Sequence, residues 1–101
     1  MTEFFAIATV DELAAGNGKV IQVRNREIAL FNVGGVFYAL ENTCCHRGGP
    51  LGDGTLRGNT VTCPWHMWQF ELATGACVNS PGDHVRTYDV IVEGDAVKIR
   101  L

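Results

Sequence analysis

The sequence predicts an all-β protein, an antiparallel β-sandwich carrying one short helix and irregular loops at one end. Three observations lead there: period-two hydrophobic alternation along most of the chain, Gly-containing turn signals between the alternating runs, and one long Gly-rich interruption. Asp11 to Ala15 is the helix candidate, because Thr9 and Glu12 stand at capping-box spacing and Gly16 is placed to stop it. Val20 to Arg24, Glu27 to Val33 and Val36 to Leu40 read as successive strands, the last two joined by Gly34-Gly35. Thr60 to Thr62, Gln69 to Leu72, Val85 to Val92 and Ala96 to Leu101 follow, with Thr74-Gly75 and Gly94-Asp95 supplying turns. Between Glu41 and Val61 alternation gives way to five Gly and a Pro, the composition of loop.

At 101 residues the chain is expected to form one domain, residues 1–101, large enough to fold without disulfide staples. A hydrophobic share of 47% against 19% charged residues gives enough apolar area to offset the ordering entropy, which excludes disorder. The net charge of -3 and eight scattered Lys and Arg argue against nucleic acid, whose phosphates need clustered cations. A protein partner with a basic face fits that charge better. Met1 to Ala6 lacks the cationic flank of an export signal, and the longest apolar run, Val33 to Leu40, is far short of a membrane span. A soluble, cytoplasmic monomer is expected.

Two short pairs carry the chemistry, Cys44-x-His46 and Cys63-x-x-His66, with sixteen residues between His46 and Cys63. Each offers one thiolate and one imidazole from a tight loop, the ligand set of a 2Fe-2S centre in which two His replace two Cys on one iron. Two thiolates and two imidazoles leave the oxidised cluster neutral, where four thiolates would leave it doubly negative, so an added electron is held more easily. On this reading Cys44 and Cys63 hold a buried iron, while His46 and His66 hold an outer one with their ring edges at the surface. A structural zinc site pairs Cys with Cys and His with His; mixed pairs argue against it. One surplus His, His84, cannot supply a second, mononuclear iron site.

The two pairs, the Arg47-Gly48-Gly49-Pro50-Leu51 continuation and Gly52-x-Gly54 resemble the Rieske ferredoxin family along nearly the whole chain. That resemblance implies a stacked antiparallel fold that shuttles one electron from a flavin-dependent reductase to the terminal oxygenase of a ring-hydroxylating system. Small subunits of nitrite reductase complexes share the signature and form the alternative. Respiratory Rieske proteins resemble it with additions: a disulfide Cys in each loop, where Gly49 and Trp65 stand here, and hydroxyl donors where Trp68 and Phe70 stand.

Cys45 and Cys77 read as packed thiols rather than ligands or a disulfide, given a reducing compartment. Trp68 is expected to shield the cluster and Trp65 is a docking candidate, with Pro50, Leu51 and Pro81 walling the site. Arg47 is expected to be solvated. Without hydroxyl donors to the sulfurs, the midpoint potential is expected near the low end of the Rieske range, about -150 mV rather than about +300 mV. It should fall further at alkaline pH, because oxidation withdraws charge and lowers the ligand imidazole pKa. Redox titration across neutral to basic pH checks both; a clearly positive or pH-invariant midpoint contradicts them.

Overall fold

The structure, a computed structural model, describes residues 3–44, 49–65 and 67–100. Nine strands are present among them: β1 (Phe4–Thr9), β2 (Gly18–Val23), β3 (Arg26–Val33), β4 (Val36–Glu41), β5 (Thr55–Arg57), β6 (Thr60–Thr62), β7 (Gln69–Glu71), β8 (Thr87–Glu93) and β9 (Ala96–Arg100). They form two antiparallel sheets, one ordered β1-β9-β8-β4-β3-β2 and a smaller one ordered β5-β6-β7. The all-β, antiparallel expectation holds.

Hairpin turns set the registers. Gly34 and Gly35 both have positive φ, 61° and 97°, the mirror-image turn whose twist matches the flanking strands, and they fix Val33 opposite Val36. Arg24 takes the same left-handed backbone without being Gly, at φ 56°, in the β2–β3 turn. Its guanidinium lies 4.6 Å from the centroid of the Phe5 ring in β1. Because β1 and β2 are the two edges of the six-stranded order, that contact shows the edges lying close together, as they do in a curled sheet.

The curl explains why β3 buries five residues in succession, Ile28 through Asn32. Its alternation serves two cores. Ile28 and Leu30 pack with Leu13, Ala39, Val97 and Ile99 inside the curl. Ala29 and Phe31 face the opposite way, with Leu40, Leu51, Val61, Phe70, Leu72 and Val85. Burying one such Ile or Phe side chain contributes about 1.5–3 kcal/mol, so each face of β3 holds one half of the molecule. Cys44, Cys63 and Cys77 belong to the second core, which joins the large sheet to the small one.

Three expectations need correction. The helix is a single 3₁₀ turn, Val10–Glu12, rather than Asp11 to Ala15. The Thr9–Glu12 pairing is present, with the Glu12 carboxylate accepting from the Thr9 amide at 2.9 Å and from its hydroxyl at 3.3 Å. The turn stops early because Leu13 swings inward to 4% exposure and extended backbone. Lys19, 3.1 Å away, and then the Thr9 amide hold the Glu12 carboxyl below its ordinary pKa. Strands β1 and β5 were not expected, and a second 3₁₀ turn, Leu51–Asp53, lies inside the long loop.

Candidate metal centre

The first loop grows out of β4. Thr43 bridges to Pro50 in antiparallel fashion, and the Cys44 amide donates to the Gly49 carbonyl at 2.9 Å, closing the loop at its neck. Below that neck Asn42 accepts from the Leu51 amide at 2.7 Å through its main-chain carbonyl. The second loop joins β6 to β7. Thr62 pairs with Gln69, and the Cys63 amide donates to the Trp68 carbonyl at 2.7 Å. Each loop therefore leaves a two-stranded ladder and returns to it, with its Cys at the last rung.

The loops meet. A Cβ built on Gly49 would stand 2.6 Å from the Cys63 sulfur, closer than real atoms tolerate, and a tight 3.0 Å from the Trp65 Cβ. Only a residue without a side chain lets the first loop lie against the second. The Trp65 amide donates to the Cys63 Sγ at 3.4 Å, aiming a backbone dipole at the atom that would carry thiolate charge. Cys44 and Cys63 are buried, at 2% and 0% exposure, beside Leu51 and Val61. Two buried sulfurs on adjoining loops, one with an amide trained on it, fit an iron-sulfur group whose Cys-bound side is shielded from water.

His46, together with Cys45, Arg47 and Gly48, lies outside the described residues, as does His66. Among the described residues no group of three or more His, Cys, Asp or Glu gathers anywhere. Around the sulfurs the outcome is mixed. Trp68 is half-buried against the same core, as expected of a shield, and Leu51 is fully buried. Trp65 and Met67 are 51% and 67% exposed, flanking position 66 on both sides. Met67 has φ 60°, an uncommon backbone for a side chain of its kind, and the loop turns back toward Trp68 there. A cleft of about 260 Å³ lined by Thr55, Arg57, Thr62, Cys63, Pro64 and Met67 opens beside the second loop.

Pro81 is exposed on a loop tied to β7 through Val78 N to Gln69 O at 2.8 Å and Gln69 N to Asn79 Oδ1 at 2.7 Å. Cys77 is a free, buried thiol within the core, and His84 is exposed and bridges Ala76 by backbone alone, as the sequence suggests. Asn42 was missed. Its only signal is a polar side chain two residues before a ligand candidate.

The family model for the Rieske [2Fe-2S] domain matches residues 3–89. The ferredoxin component of the naphthalene 1,2-dioxygenase system of Pseudomonas aeruginosa is 35% identical over 91 residues, covering 89% of this chain and 88% of its own. A solved complex of reduced oxygenase and oxidised ferredoxin in carbazole 1,9a-dioxygenase holds a chain that superposes with TM-score 0.87 at 28% identity, covering 95% of this chain and 91% of that one. The chain belongs to the Rieske [2Fe-2S] family. Its match to ferredoxins over nearly their whole length makes it an electron-transfer protein carrying a 2Fe-2S cluster, not an enzyme in its own right. A structure from Mycobacterium tuberculosis described as an NADH-dependent nitrite reductase small subunit superposes with TM-score 0.92, covering 100% of this chain and 96% of its own; at 20% identity it shares the fold alone.

Gly49→Ala should weaken cluster retention about tenfold by pushing the loops apart. Gly58→Ala, at φ 59° with nothing within 4 Å, should cost about 1 kcal/mol of stability and leave loading intact. Iron and acid-labile sulfide per chain, with the visible spectrum, measure this; equal loading in both variants contradicts it.

Proposed function

We propose that residues 1–101 act as one soluble, cytoplasmic, monomeric ferredoxin that takes single electrons from a flavin-dependent reductase and delivers them to the terminal oxygenase of a ring-hydroxylating system. Cys44, His46, Cys63 and His66 are the proposed ligands. When bound, the 2Fe-2S cluster supplies a one-electron couple. The thiolates of Cys44 and Cys63 would hold it from within the apolar core, where the Trp65 amide donates to the Cys63 sulfur. His46 and His66 would supply the remaining two ligands, on the side from which the electron would leave.

The observation that carries this reading is the pair of buried cysteines on loops that touch through Gly49, in a chain that ferredoxin relatives match nearly end to end. No helix among the described residues is long and apolar enough to cross a membrane, in keeping with diffusion between soluble partners. The naphthalene and carbazole relatives belong to dioxygenase systems, and one ferredoxin is seen together with its oxygenase, which supports the oxygenase as acceptor. Trp65 and Met67, large and exposed on either side of His66, supply apolar area for that contact.

Stopped-flow oxidation of the dithionite-reduced protein by an oxidised ring-hydroxylating oxygenase tests the proposal. Transfer within a normal turnover time is expected, slowed about tenfold by Trp65→Ala or Met67→Ala with iron content and spectrum unchanged. Transfer only to a sirohaem nitrite reductase, or variants as fast as the parent, would contradict it.

A further inference from the structure

We infer that Asn42 is the positioning residue of the first ligand loop, its side-chain amide fixing the angle at which Cys44 is presented; this rests on the ligand assignment proposed above. Asn42 and Asn32 are the buried polar residues among those described, Asn42 at 3% exposure. A buried amide is costly unless both its halves are bonded, so its bonding partners reveal its role. The Asn42 Oδ1 accepts from the Gly52 amide at 2.7 Å, and its Nδ2 donates to the Glu27 carboxylate at 3.3 Å. Its main chain does the same work twice more, donating to the Glu27 carbonyl at 3.1 Å and accepting from the Leu51 amide at 2.7 Å. Four bonds on one residue thus join the start of β3, the leg that leaves for Cys44 and the leg that returns from it.

Gly52 shows that this approach is built rather than incidental. A Cβ there would stand 2.5 Å from Val20 Cγ2 and 3.1 Å from the Asn42 Oδ1 itself, so the returning backbone has no side chain at the point where it reaches the amide. The ladder rungs run 44 to 49, 43 to 50 and 42 to 51 through the main chain. The Asn42 side chain adds one more rung, to Gly52, where the chain turns off into the 3₁₀ turn and main-chain pairing ends. Loss of that rung loosens the base of the loop, and a shift at the base carries with it the neck at which Cys44 is held. An apolar side chain of similar size would fill the space yet leave the Gly52 amide unbonded and remove the side-chain tie to Glu27, so that only the main-chain rungs hold the base.

The test uses the cluster-loaded full chain and compares Asn42→Ala, Asn42→Asp and the double variant Asn42→Asp with Glu27→Gln. Asn42→Asp keeps an acceptor for Gly52 but sets a carboxylate against the Glu27 carboxylate. The double variant restores a donor and an acceptor across that gap with their places exchanged. Readouts are the rate of iron release to a chelator, the EPR spectrum of the reduced protein and the midpoint potential. Asn42→Ala and Asn42→Asp are expected to release iron about tenfold faster with altered EPR anisotropy and a shifted midpoint, and the double variant to recover all three. Asn32→Ala, which removes a buried amide bonded to Leu13 and Gly35, should lower Tm without moving the spectrum. Should Asn42→Ala fail to fold, the comparison of the aspartate single and double variants decides. Wild-type release and spectrum in the single variants, or a folded double variant no better than Asn42→Asp, overturns the inference. A parent protein whose loaded spectrum lacks nitrogen-ligated iron would overturn the ligand assignment instead.

Discussion

Two main-chain hydrogen bonds, Cys44 N to Gly49 O and Cys63 N to Trp68 O, close the necks of the loops on which the site is built. Each places a cysteine at the last point where the backbone is still held by a sheet, so the sulfurs inherit the rigidity of the ladders. The beginning of each loop thus belongs to the core, while Trp65, only two residues past Cys63, already stands 51% exposed. That division suits an iron-sulfur cluster whose thiolate charge is held in a low-dielectric interior, close to the surface that Trp65 marks.

The remaining constraint is steric. Gly49 against the Cys63 sulfur fixes the distance between the loops, much as Gly54, whose Cβ would meet the Thr62 carbonyl at 2.4 Å, fixes the 3₁₀ turn against the small sheet. The same contact accounts for a difference from respiratory Rieske proteins. Positions 49 and 65 do come together, as a disulfide there would require, but here a bare backbone packs against an indole-bearing residue and no covalent link is available. The loops must then be held by packing and hydrogen bonds, which gives residues such as Asn42 more to do.

Much of this could be read from the residues alone, for identifiable reasons. Mixed Cys-His spacing pointed to the Rieske family because few other sites use it, and the Gly34-Gly35 pair marked a hairpin that the structure reproduces. β1 escaped because none of its residues is buried, so Phe4 to Thr9 shows no period-two contrast. β5 is three residues inside a Gly-rich stretch, too short for a pattern. The helix was read too long because capping chemistry at Thr9 and Glu12 marks a start but says nothing of Leu13, whose burial ends the turn. Asn42 was invisible because its partners, Glu27 and Gly52, lie fifteen and ten residues away and meet only in three dimensions.

The proposed ligand set gives electron transfer by this protein two nitrogen ligands, His46 and His66, at one iron of the cluster. Pulsed EPR of the one-electron-reduced protein reads this directly, because an electron on an imidazole-bound iron would couple to the nitrogens attached to it. Two distinct strong nitrogen couplings, one lost in His46→Cys and the other in His66→Cys, are the expected result. A loaded, reduced protein with no strong nitrogen coupling, or with both couplings intact after either substitution, would contradict the mixed-ligand assignment.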